Sequence, residues 1–114
     1  MNRVDIHKKI CNELNQLYAT KNSDYGGAFQ ILRSRFPQST VIRLWDKLLR
    51  LEQLTKPGYE AQVKDESIID TYRDLANYCI MELVEREYEE QSLARCSTKS
   101  DRIMTERGVH ESSD

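Results

Sequence analysis

Glycine and proline are scarce in this 114-residue chain, four and two respectively, which does not suit a sandwich of many short strands joined by tight turns. Histidine is scarcer still. With only His7 and His110, both near the chain ends, a histidine triad or a multi-histidine metal site has nothing to be built from. The three cysteines, Cys11, Cys79 and Cys96, are odd in number and show no CxxC spacing, which argues against a disulfide framework or a thiolate zinc site. No apolar run approaches the roughly 18 residues of a membrane span. The first residues lack the apolar stretch of a secretory signal, so the expectation is a reduced, cytoplasmic protein. Chemistry, if there is any, must run on carboxylates, Lys, Arg, Tyr or an oxygen-held metal.

What is present is charge and helical periodicity. Hydrophobic residues make up 39% and charged residues 32%, a balance that suits helices with a solvated face. The formal charge of −2 offers no global field for nucleic acid or an anionic membrane, and no direct nucleic-acid binding is expected. Residues 1–84 hold twelve basic and eleven acidic side chains, whereas 85–114 hold five and eight. The body is balanced and the tail acidic.

Spacings of three and four in Ile6, Ile10, Leu14, Leu17 and Tyr18 predict an amphipathic helix over 3–20. The stretch Lys21–Gly27, with Asn, Asp and paired Gly, reads as a loop. A short helix over 28–35 should stop before Pro37. Gln38-Ser39-Thr40 offers a cap for a helix over about 40–54, with Val41, Trp45, Leu48 and Leu49 as the inner stripe and Ile42 beside them. Leu44, Leu51 and Leu54 lie elsewhere on that helix, which is therefore apolar on more than one side. Asp65 is a candidate cap for the longest helix, 66–88, with Ile68, Tyr72, Leu75, Ala76, Cys79 and Leu83 as its core face. Beyond 88 the pattern decays into a polar acidic tail, 89–114, expected to be frayed or disordered. The expected fold is an all-α bundle of three long helices and one short one, a single domain over 1–88. It has more apolar face than one small core can bury, so a homo-oligomer, by default a two-fold dimer, is expected.

Glu66, Asp70, Asp74 and Asn77 share one face of the last helix, opposite the Tyr72/Leu75/Cys79 stripe. Carboxylates at successive i, i+4 positions repel by a few tenths of a kcal/mol per pair, and Asp is a poor helix former. Such a row suits Mg²⁺ that also takes substrate phosphates, although charge runs are more often solvated surface. Met81 continues this face and Tyr78 flanks it. On the third helix Asp46 and Arg50 have the spacing of a surface ion pair. The same helix could instead offer Asp46 to a metal, and Arg43, Lys47 or Arg50 to phosphate. In the Lys21–Gly27 loop, Tyr25 could stack a base or fold onto the core, and the loop matches no P-loop pattern.

Three blocks, KNSDYG at 21–26, IRLWDKLLRL at 42–51 and DESIIDTYRDLANY at 65–78, resemble the nucleotide modification associated domain 1 family, small helical proteins common in phages and prophages. The resemblance covers about residues 10–84. The family's acidic helices look like those of the all-α NTP pyrophosphatases of the MazG and dUTPase group. That similarity implies Glu66, Asp70 and Asp74 as metal ligands or water-orienting base, with Asp46 joining them from the facing helix around Mg²⁺. It implies Lys21, Arg43, Lys47 and Arg50 against phosphate, and Asp24, Tyr25 or Asn77 toward the rest of the nucleotide. The expected activity is nucleoside triphosphate pyrophosphohydrolysis. The fourth helix reads ExxxDxxxD where the pyrophosphatases carry paired-Glu patterns. A protein that binds a nucleotide, or a signal derived from one, without cleaving it would keep the same basic and aromatic groups. A helical adaptor whose acidic face and tail contact a host protein is a third expectation.

Overall fold

The computed structural model describes residues 1–25, 27–60 and 67–101, and the side chains of all of these except 23–25 and 97–101. Four helices and no strand occur among them: α1 (Arg3–Tyr25), α2 (Ala28–Arg35), α3 (Ser39–Leu54) and α4 (Ile68–Asp101). The chain is all-α, in keeping with its scarcity of turn residues. No helix among the described residues is long and apolar enough to cross a membrane.

Each helix starts or stops for a local reason. At α1 a reciprocal cap forms: the Asp5 N–H donates to Asn2 Oδ1 at 2.9 Å, and the Asn2 N–H donates to Asp5 Oδ2 at 3.3 Å. Gly27 enters α2 with φ 80°, in the left-handed region. The Phe36 N–H closes α2 on the Leu32 carbonyl, and Pro37 follows. α3 begins at Ser39 after Gln38, with no side-chain cap bond. At its end Thr55 Oγ1 donates to the Leu51 carbonyl at 2.7 Å. α4 is capped by Ser67, whose Oγ accepts from the Asp70 N–H at 2.9 Å. The expected cap, Asp65, lies outside the described residues. α4 continues past the expected residue 88 to Asp101.

Two compact units divide the chain, Met1–Glu82 and Leu83–Asp114. The first holds α1, α2, α3 and the beginning of α4. Charged pairs tie its helices together. Arg33 of α2 meets Glu82 of α4 through two bonds of 2.9 and 2.8 Å. Lys47 of α3 meets Asp74 of α4 at 3.0 Å, and Arg73 of α4 meets Glu13 of α1 at 3.3 Å. In the second unit Gln91 Nε2 donates to Glu87 Oε2, and Leu83, Tyr88 and Leu93 are exposed.

The apolar stripes do not face where periodicity alone would put them. Among the described residues the buried apolar side chains are Leu14 and Leu51, joined by buried Thr40, Thr71 and Asn77. α3 turns its Thr40/Lys47/Leu51 side inward and leaves Val41, Ile42, Trp45, Leu48 and Leu49 exposed. α4 likewise buries Thr71 and Asn77, half-buries Asp74 and Tyr78, and exposes Tyr72, Cys79 and Leu83. Periodicity identifies an apolar arc, but it cannot say whether the surface covering that arc belongs to the same chain. All three cysteines are free and exposed.

Glu13 is held below its ordinary value of 4.5, first by the hydrogen bond from Lys9, whose Nζ lies 3.0 Å away, and then by the charges of Lys9 and Arg73. A depressed carboxylate contributes stability that is complete above the ordinary value and fades as pH falls through the folded one. We therefore expect the Glu13 carboxyl, followed by NMR, to titrate below 4.5, and Lys9→Ala to move it back up.

Candidate functional site

Near one end of the first unit the four helices leave a pocket of about 320 Å³. The C-terminal part of α1 supplies Tyr18, Lys21 and Asn22. Gly27, Ala28 and Phe29 come from the start of α2, Arg43 and Lys47 from α3, and Asp74, Asn77, Tyr78 and Met81 from α4. The α4 contribution follows from helical spacing, since residues 74, 77, 78 and 81 recur at three and four and share a face.

The pocket has a charged side and an aromatic side. Lys21, Arg43 and Lys47 stand against one carboxylate among the described lining residues, Asp74. Asp74 pairs with Lys47 at 3.0 Å, the lysine being the more deeply covered partner, 14% exposed against 39%. That leaves an excess of cationic charge from Lys21 and Arg43, which suits an anion. Arg43 Nη1 donates to the Tyr78 hydroxyl at 3.0 Å, and its guanidinium carbon lies 5.3 Å from that ring's centroid. The Tyr78 ring in turn stacks on Phe29, with centroids 6.3 Å apart and planes 21° from parallel. Arg43 therefore orients an aromatic surface as well as supplying charge.

Asn77 is 8% exposed, lines the pocket, and has no side-chain hydrogen-bond partner among the described residues. A buried carboxamide usually finds partners within the protein. Lining the pocket, it places a donor and an acceptor within reach of a molecule there.

Of the residues anticipated from sequence, Lys21, Arg43, Lys47, Asp74 and Asn77 are brought together here. Asp46 and Arg50 are not among the lining residues and pair with each other on the α3 surface at 3.6 Å. Asp70 is exposed near the start of α4 and is not among the lining residues either. The side chains of Asp24 and Tyr25, and the whole of Glu66, lie outside the described residues. Among those described, no three His, Cys, Asp or Glu side chains form a group that could hold a metal. Tyr18, Asn22 and Phe29 escape sequence reasoning.

Gly27 sets the pocket's floor at the α1–α2 junction. A Cβ there would stand 3.5 Å from Gln30 Oε1, ordinary contact, so the obstacle to another residue is its φ of +80°. Gly27→Ala is expected to cost about 1–2 kcal/mol, read as a drop of several degrees in Tm.

A family model described as nucleotide modification associated domain 1 matches residues 21–85, which takes in every described residue of the pocket except Tyr18. No curated protein and no solved structure matches the chain.

Proposed function

The chain belongs to the nucleotide modification associated domain 1 family, and from that membership and the pocket we propose that it binds a nucleotide. Lys21, Arg43 and Lys47 take the phosphates. The Phe29 and Tyr78 rings give the base an apolar wall, and Asn77 offers a donor and an acceptor to the base or sugar. The observation that carries this reading is the pairing, in one small pocket, of a cationic side with a stacked aromatic side. A volume near 320 Å³ is at the small end of ligand sites and suits a single nucleotide.

Magnesium fits the described donors poorly. Among the described residues one carboxylate lines the pocket, and an ammonium group already sits on it. This donor set supplies no cleavage step. Pyrophosphohydrolysis is the competing reading, favoured by the placement of Asp70 and Asp74 on successive turns of α4.

Incubation of the purified chain with mixed nucleotides, with and without Mg²⁺, followed by mass spectrometry of the solution and of the denatured protein, separates the two. An intact nucleotide recovered from the protein in both conditions is the expected result. Loss of one triphosphate with a matching monophosphate, only with Mg²⁺, would establish the hydrolase instead. If no nucleotide is retained or consumed, both readings fail and the adaptor expectation takes their place.

A further inference from the structure

Val41, Ile42, Trp45, Leu48 and Leu49 stand together on the side of α3 turned away from the pocket. Ile42 keeps 62% of its surface exposed, Trp45 58% and Leu49 57%. At 100° per residue, Trp45 lies about 160° around the helix from Lys47, and the other four fall within about 60° of it on either side. The positions are symmetric about Trp45 in sequence, at −4, −3, 0, +3 and +4. An apolar strip that reads the same from both ends is self-complementary under a two-fold rotation, the relation that an isologous contact demands.

We propose that two copies of this chain associate through this face, their α3 helices antiparallel across a two-fold axis at Trp45. Trp45 then packs on its counterpart, Val41 of each copy on Leu49 of the other, and Ile42 on Leu48. Three observations favour a second copy over another occupant. The first is the symmetry of the strip. The second is area: five large, half-exposed side chains give roughly 500 Å² per copy and about 1,000 Å² for the pair, the threshold for a specific interface. The third is charge. Asp46 and Arg50, flanking the strip, pair with each other within the chain at 3.6 Å, and Glu52, on the strip's own face one turn beyond Leu48, is set by the two-fold against Gln38 rather than against another acid. A subunit with only Leu14 and Leu51 buried among its described apolar side chains also has reason to need the added burial. The face is opposite the Lys47 side of α3, so the proposal does not depend on what fills the pocket.

Sedimentation equilibrium of the full chain over a dilution series tests it. The expected mass is twice 13.4 kDa at high concentration and falls on dilution. Trp45 is the sole tryptophan, so its emission should move to longer wavelength with the same midpoint. Val41→Glu and Leu49→Lys, each made alone, should weaken association about a hundredfold. Both positions are exposed in the single chain, so the helical circular dichroism of each variant should survive. The double variant Val41→Glu/Leu49→Lys sets opposite charges against each other twice across the two-fold and should recover association to within about tenfold of the parent. Within one chain the two sites are about 12 Å apart along the helix, too far to pair directly. A monomer throughout the series would overturn the proposal and leave the strip to another occupant. It would equally be overturned by single variants that associate like the parent, or by a double variant no better than either single one.

Discussion

Glu82→Ala is expected to lower the stability of the first unit by about 2–4 kcal/mol, a fall in Tm of roughly 10–25 °C. Glu82 receives both Nε and Nη2 of Arg33, at 2.9 and 2.8 Å, in the two-pronged geometry that suits guanidinium and carboxylate. The partners are 49 residues apart in sequence, so the pair docks α2 on α4, and their side chains are only 17% and 20% exposed. Truncation removes the carboxylate and with it both bonds, so a covered guanidinium loses two acceptors at once. Two further variants separate charge from shape. Glu82→Gln keeps the outline and one acceptor and should lose about half as much. Arg33→Met/Glu82→Leu removes both charges and should fall within about 1 kcal/mol of the parent, since apolar replacement of a buried pair is often neutral. Thermal and urea unfolding of the three variants would measure this. A loss below about 1 kcal/mol for Glu82→Ala would mean that the pair behaves as an ordinary surface bridge.

Arg43→Ala is expected to weaken nucleotide binding by about a hundredfold, and Lys47→Ala by about tenfold, by calorimetric titration. The difference follows from what each cation does in the pocket. Arg43 contributes charge and also holds the Tyr78 hydroxyl at 3.0 Å, so its loss frees the ring that stacks on Phe29. Lys47 contributes charge already shared with Asp74. Arg43→Lys should restore only part of the affinity, because an ammonium group lacks the planar fork. Asp74→Asn then divides binding from catalysis. A pure binder should bind its nucleotide several-fold more tightly once Lys47 is released from its carboxylate. A hydrolase would instead lose turnover with the only carboxylate among the described lining residues. Tighter binding with the nucleotide recovered intact supports the binder, whereas weaker binding together with lost Mg²⁺-dependent cleavage would overturn it.

Much of the pocket is legible in the amino-acid sequence. Residue type and spacing single out Lys21, Arg43, Lys47, Asp74 and Asn77, and all five line one space. Asp74 and Asn77 share a helix face by arithmetic alone, and Arg43 and Lys47 do so by their i, i+4 separation. What spacing cannot supply is the partner of each group. Family resemblance assigns Lys47 and Asp74 to phosphate and metal, yet they meet each other at 3.0 Å. It assigns Asp46 to a facing metal, yet Asp46 pairs along its own helix with Arg50. A helix wheel orders the residues of one helix around its own axis and carries no information about the rotation of a neighbouring one.

The same limit divides the whole molecule. Sequence alone determined that the chain is helical, where α2 ends, which residues form each apolar arc, and that histidine and thiolate metal chemistry have little material here. These are local or compositional properties, settled by periodicity, caps and residue counts. Tertiary structure decided which arc faces inward. It chose Thr40, Lys47 and Leu51 over Val41, Trp45 and Leu49 on α3, and Thr71, Asp74 and Asn77 over Tyr72, Cys79 and Leu83 on α4. The physical reason is that burial is a relation between surfaces. The Arg33–Glu82, Lys47–Asp74 and Arg73–Glu13 pairs join the helices at one rotation within the chain, while the most apolar strip on α3 stays outward, where a second copy can cover it.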